Sequence, residues 1–187
     1  MILVDDLSLD RLERFARAMV FEPFGSLGFA APPIVFGLTG TLGVGKTRLT
    51  QAIAGAAGVD PTDVTSPTFT LLQSHVSKSS IGPRMIHHLD AYRLRDADEF
   101  WELGVDELWQ QPSTWTIVEW ADRVEDEMPP FTIWAELDVM GQDTAGAMET
   151  AEDTALRQLR LSCDESQRID WLRRCVARFD SIDDGRS

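Results

Sequence analysis

Residues 40–47 read Gly40-Thr41-Leu42-Gly43-Val44-Gly45-Lys46-Thr47, and this octapeptide, set between an apolar run and a helical pattern, decides the fold. Its glycines let the backbone turn tightly and bring successive N–H groups onto phosphates, while the helix that follows aims the positive end of its dipole at the same charge. Lys46 can then reach β- and γ-phosphate oxygens. The Thr47 hydroxyl suits Mg²⁺, a hard cation that takes oxygen ligands and keeps several waters. Before the loop, Ile34-Val35-Phe36-Gly37-Leu38-Thr39 suits a buried central strand; after it, residues 48–57 lack proline and space Leu49, Ile53 and Ala57 as a helix does. The stretch from Gly40 to Arg48 is therefore the candidate nucleotide cradle. A glycine-rich turn without a ligand is the bland alternative, and the strand–loop–helix setting speaks against it.

Outward from the loop, Ser8 is placed as an N-cap, with Leu9, Leu12, Phe15, Ala16 and Met19 forming one stripe of a helix over 8–20. Strands are expected at 69–75 and 85–90, an antiparallel pair joined by the turn-rich 77–83, and at 114–120, 131–139 and 156–161. Asp96 to Glu99 is a capping-box variant opening a short helix that Gly104 ends; a helical turn over 105–109 follows. Residues 121–128 read as a short acidic helix, 141–153 as an acidic loop and 164–179 as a terminal helix. The expected fold is α/β, a P-loop NTPase-like mixed sheet flanked by helices in a single domain. Within it, residues 1–140 would form the ATPase core, with 141–187 packed on or extending it.

At 187 residues with 43% apolar content, the chain is long enough for one well-buried domain and too short for two ordinary ones. It has no run of about eighteen apolar residues and no basic start followed by an apolar segment, so no membrane span or signal peptide is expected and a cytoplasmic location is. Cys163 and Cys175 make no zinc-ligand pattern with His75, His87 and His88. The net charge of −14 argues against a domain that grips nucleic acid by itself, since that needs lysine and arginine to displace counterions. Any link to RNA would run through a partner.

Two carboxylates stand out. Asp90 closes the run Met85-Ile86-His87-His88-Leu89-Asp90, and Glu119 closes Thr116-Ile117-Val118-Glu119. Strand-end acids near a phosphate loop can divide the work, one ordering the metal shell and the other orienting or deprotonating water. The sequence leaves the division open, with Asp90 favoured for metal and Glu119 for water, and Thr47 beside them. Each acid could also be a solvent-exposed strand end. Ser66 and Thr68 lie where a segment sensing the γ-phosphate would, although a turn cluster fits too. Arg93 could reach a phosphate or pair with Asp96. Trp120 could stack on adenine or line an interface; Trp101, Trp109 and Trp134 fit core packing better. His87 and His88 sit mid-strand on opposite faces, one of them expected to be structural.

Taken together, Leu42-Gly43-Val44-Gly45-Lys46-Thr47, Ser66-Pro67-Thr68-Phe69-Thr70-Leu71, His88-Leu89-Asp90-Ala91-Tyr92-Arg93-Leu94, Glu102-Leu103-Gly104 and Val118-Glu119-Trp120 resemble the TsaE (YjeE) family over roughly residues 8–140. The resemblance implies an ATPase that performs no transfer chemistry itself. It would bind a TsaB–TsaD heterodimer and use ATP hydrolysis to support repeated threonylcarbamoyl transfer to adenosine 37 of tRNA. It also implies Mg²⁺ at Thr47 and Asp90, phosphates at Lys46, a catalytic acid at Glu119 and a switch-like loop at Ser66 and Thr68. The family usually has Asp at the position of Thr41 and Ala at that of Val44.

Two other readings share the fold. A small-molecule kinase would usually carry an arginine-rich lid, and residues 141–153 contain neither arginine nor lysine. A nucleotide-gated interaction module would need Lys46 but not Glu119. The sequence has no Asn-Lys-x-Asp base reader of the kind GTP specificity normally shows, which favours ATP.

Overall fold

The computed structural model describes residues 1–24, 31–64, 71–140 and 155–183. Its strands are β1 (Ile2–Leu7), β2 (Ile34–Thr39), β3 (Leu72–Val76), β4 (Met85–Asp90), β5 (Thr114–Glu119), β6 (Ile133–Val139) and β7 (Arg157–Ser162). Its α-helices are α1 (Leu9–Phe21), α2 (Lys46–Ala56), α3 (Ala97–Glu102), α4 (Val105–Leu108) and α5 (Ser166–Asp183). The strands form one sheet in the order β1-β7-β6-β2-β5-β4-β3. β2 runs parallel to both β5 and β6, and β4 parallel to β5, while β3/β4, β6/β7 and β7/β1 are antiparallel. The mixed sheet of the sequence reading is thus present, including the antiparallel β3/β4 pair.

β2 explains why the loop sits where it does. Ile34, Phe36 and Leu38 point into the larger core with α1, α2 and α5, and Val35 points into a second core with α3, α4 and the 3₁₀ segment Ala121–Glu127. Buried on both faces, β2 needs the unbroken apolar run that its sequence supplies. Gly37 is required by packing: a Cβ there would lie 2.8 Å from the Trp134 ring. Ser8 caps α1 as expected, accepting from the Arg11 N–H at 3.3 Å, and Asp96 caps α3 by accepting from Glu99 at 3.0 Å. α1 and α5 meet through an edge-on Phe15–Phe179 pair with centroids 5.5 Å apart.

Four expectations are corrected. Residues 2–7, read only for the absence of a leader, form edge strand β1; its short alternation is broken by two acids, Asp5 and Asp6. Residues 121–127 are a 3₁₀ segment broken at Val124 (φ −130°, ψ 29°), not a regular helix. The terminal helix begins at Ser166 and continues to Asp183. Trp101 is exposed and donates from Nε1 to Glu127 Oε2 at 2.7 Å, whereas Trp109 is buried and Trp134 half-buried. The acidic loop read at 141–153 lies outside the described residues, as do Ser66, Thr68 and the first residues of the strand read at 69–75.

Candidate functional site

The loop leaves β2 and closes on the start of α2 with Gly40, Gly43 and Gly45 all at positive φ. At two of these, glycine is enforced. A Cβ on Gly40 would lie 2.3 Å from the Leu137 carbonyl oxygen of β6, and Gly45, the left-handed N-cap of α2 (φ 111°), would bring one within 3.1 Å of Arg157 Nε. Thr41, Leu42 and Gly43 are exposed, Leu42 at 83%, while Val44 is buried. Of Arg48, the backbone lies at the loop; its side chain lines the groove between α1 and α2 with Leu12 and Arg17.

Lys46 is only 5% exposed. Its Nζ donates to the carbonyls of Gly40 at 2.8 Å and Thr41 at 2.9 Å and lies 3.5 Å from the Trp120 ring centroid. Burial lowers its pKa, and the charges of Glu119, Asp122 and Asp90 oppose that shift. Trp120 ends β5 in a left-handed conformation (φ 56°), which is costly for a bulky residue and turns the indole beneath the ammonium. Tyr92, 54% exposed, stacks on it with ring centroids 5.0 Å apart.

The two carboxylates are brought together. Asp90 and Glu119 are register partners at the carboxyl ends of parallel β4 and β5, so both point to one face. Their surroundings differ. Glu119, 2% exposed, accepts the Thr47 hydroxyl on Oε2 at 2.7 Å, and on Oε1 accepts His88 Nε2 at 2.7 Å and the Thr50 hydroxyl at 3.3 Å. Asp90 accepts one backbone N–H, that of Tyr92, on Oδ1 at 3.0 Å. Burial raises the Asp90 pKa, and the neighbouring Glu119 charge adds to this while His88 and Arg93 oppose it.

The residues present fit a bound Mg²⁺. Thr47 donates its one hydroxyl proton to Glu119, which leaves the oxygen lone pairs for a cation. Among the described residues no three His, Cys, Asp or Glu side chains cluster as a metal cage; Mg²⁺ held by one or two protein oxygens and several waters needs none.

Two residues belong to this neighbourhood that the sequence reading did not place there. His88 is fully buried on Glu119; its position two before Asp90 on one strand puts both on the same face, and that period-2 spacing was the available signal. Arg157 of β7 reaches the Val44 carbonyl at 2.8 Å, and nothing local to residue 157 announces a contact so distant in sequence.

A glycine-turned loop between a central parallel strand and a helix, with acids at the neighbouring strand ends, defines a P-loop NTPase-like site. The family model for Threonylcarbamoyl adenosine biosynthesis protein TsaE matches residues 12–148, and the chain belongs to that family. Curated relatives named tRNA threonylcarbamoyladenosine biosynthesis protein TsaE include that of Treponema pallidum (strain Nichols), 32% identical over 42% of this chain and 53% of its own length. That of Bacillus subtilis (strain 168) is 32% identical over 57% of this chain and 61% of its own. The chain thus spans between about half and three fifths of the length of these relatives. The crystal structure of Bacillus subtilis YdiB superposes with a TM-score of 0.65 at 22% identity, covering 96% of this chain and 95% of that one, which supports the fold.

Proposed function

We propose that this chain binds ATP with Mg²⁺ and hydrolyses it, and that the hydrolysis supports threonylcarbamoyl transfer to adenosine 37 of tRNA through a TsaB–TsaD-like heterodimer in the cytoplasm. The observation that carries the reading is the Thr47–Glu119–His88 chain of hydrogen bonds beside Lys46, with Asp90 in register. Family membership supports the pathway, and the net charge of −14 supports a tRNA held by the partner.

In this reading the loop N–H groups and Lys46 bind the β- and γ-phosphates. Lys46 would exchange the Gly40 and Thr41 carbonyls for phosphate oxygens, staying against the Trp120 ring. Bound Mg²⁺ would supply charge neutralisation on the transferring phosphoryl group. Thr47 offers it an oxygen, and Glu119, already occupied by three donors, fixes that hydroxyl. Asp90 has an oxygen without a hydrogen bond among the described residues and a raised pKa. It is the better placed acid to orient the attacking water and accept its proton as the oxygen–phosphorus bond forms and ADP leaves with the bridging electron pair. The hydrogen-bond pattern therefore favours Glu119 on the metal side and Asp90 on the water side, the reverse of the division the sequence favours. Ser66 and Thr68 keep the proposed γ-phosphate-sensing role.

The test is ATP hydrolysis by the purified chain, alone and with the TsaB–TsaD pair of its own organism, with Lys46→Ala and Glu119→Ala alongside. Slow turnover that rises with the pair and is lost in both variants supports the proposal. A pair that neither binds nor changes the rate removes the tRNA role, and phosphate transfer to a small acceptor would mark a kinase.

A further inference from the structure

A phosphate loop works when its N–H groups face the ligand, so its carbonyls turn back into the protein and need donors there. Four of the loop carbonyls, those of Gly40, Thr41, Val44 and Gly45, have donors among the described residues. Those of Gly40 and Thr41 accept from Lys46 Nζ, and that of Gly45 accepts the Leu49 N–H of α2 at 2.9 Å. The Thr41 carbonyl also accepts the Val44 N–H at 3.4 Å, and every one of these donors comes from the motif or its own helix. The Val44 carbonyl accepts from Arg157 Nε at 2.8 Å, a donor 113 residues further along the chain.

Arg157 is built into the fold on every side. It is 2% exposed. Its Nη1 donates to the Ala155 carbonyl at 2.7 Å, and its backbone is in register with Val139 of β6 and Leu7 of β1. A Cβ on Gly45 would stand 3.1 Å from the same Nε, so the guanidinium packs directly behind the turn where the loop becomes helix. Residue 157 lies beyond the residues matched by the family model, which end at 148.

We infer that Arg157 is a positioning residue of the nucleotide site, which holds the Val44–Gly45 turn so that the adjoining N–H groups face phosphate. The inference rests on the nucleotide-binding reading above. Its planar donor fork and permanent charge suit it to bridging two carbonyls from within the sheet. A lysine would keep the charge but replace the fork with a single point donor. The C-terminal strand β7 thereby sets how tightly the loop binds, although it carries no group that touches the reacting atoms.

The experiment uses the full chain and its Arg157→Met, Arg157→Lys and Arg160→Met variants. MgADP binding is measured by calorimetry, and amide hydrogen exchange at residues 43–47 is measured without nucleotide. Arg160, which faces Glu136 and Asp138 instead, is the control on the same strand. The expected result is MgADP affinity about tenfold weaker in Arg157→Met and about threefold weaker in Arg157→Lys, with both affinity and kcat within about twofold of the parent in Arg160→Met. Exchange at 43–47 should accelerate in the order Met then Lys. If Arg157→Met does not fold, the Arg157→Lys affinity and exchange decide. Parent-like affinity in a folded Arg157 variant overturns the inference while leaving the nucleotide site standing; failure of the parent to bind MgADP overturns both.

Discussion

The two halves of the sheet are built by different rules. From β2 through β5 to β4 the strands are parallel, and almost every residue is buried: in β2 only Thr39 is half-buried, and in β5 every residue is buried. From β6 through β7 to β1 the pairing is antiparallel, with core residues such as Leu159 and Leu161 alternating with polar ones such as Gln158 and Arg160. A parallel strand covered on both faces has only its carboxyl end open to solvent, so chemistry collects there. An antiparallel strand with one wet face spends its polar residues on the surface, as Arg160 does with Glu136 at 3.1 Å and Asp138 at 2.7 Å. The site follows this division: Lys46, Thr47, Asp90 and Glu119 all come from the parallel half or its crossover helix, and the antiparallel half contributes support through Arg157.

The contrast breaks most sharply at Lys46. Lys46→Ala should lower ATP turnover by about 10²–10³-fold, in steady-state assays, while the fold persists, because in the proposed mechanism the charge it removes acts on the transferring phosphoryl group. In the antiparallel half the corresponding blow falls on stability. Leu159→Ala empties a fully buried position and should cost about 2–5 kcal/mol in denaturant unfolding, with the nucleotide KM of the remaining folded protein unchanged. Between them stands Gly37→Ala, whose added methyl meets the Trp134 ring at 2.8 Å; an unfolding cost of about 1–3 kcal/mol is expected.

Asp90 makes the stability of the parallel half depend on pH. Its folded-state pKa is raised, chiefly by burial, so its contribution to stability is complete below the unfolded carboxylate pKa and is lost as pH rises through the folded one. Asp90→Asn should therefore unfold at higher denaturant than the parent at neutral pH, with the gap closing as pH falls below the ordinary carboxylate range, and should hydrolyse ATP poorly. A variant both more stable and less active would show that the parallel half carries a stability cost for its chemistry. The smallest effect belongs to Arg160→Met, whose partly exposed ion pairs should change unfolding free energy by no more than about 1 kcal/mol.

Much of this was legible in the sequence because the parallel half writes itself locally. The loop motif, its flanking strand and helix, and the two strand-end acids are each signalled within a few residues, and Asp90 and Glu119 do meet in register. The capping serine and aspartate were equally readable, since a cap needs a partner only three residues away. What escaped depends on long-range packing. β1 is a short edge strand whose alternation is interrupted by Asp5 and Asp6, and its strand partner is the distant β7. His88 gains its meaning from a neighbour on β5, and Arg157 from the loop at the end of β2, across the intervening β6. Which oxygens of Asp90 and Glu119 already carry donors, the basis of the proposed division of labour, is encoded in no linear pattern.

Trp120 carries one more consequence. Its indole ring lies 3.5 Å from the Lys46 ammonium, and a cation over an indole shifts the light that the indole emits. A ligand that changes how the ammonium sits over the ring changes that emission from inside the cradle, so the Trp120 indole is placed to report optically on what Lys46 binds, with no dye attached.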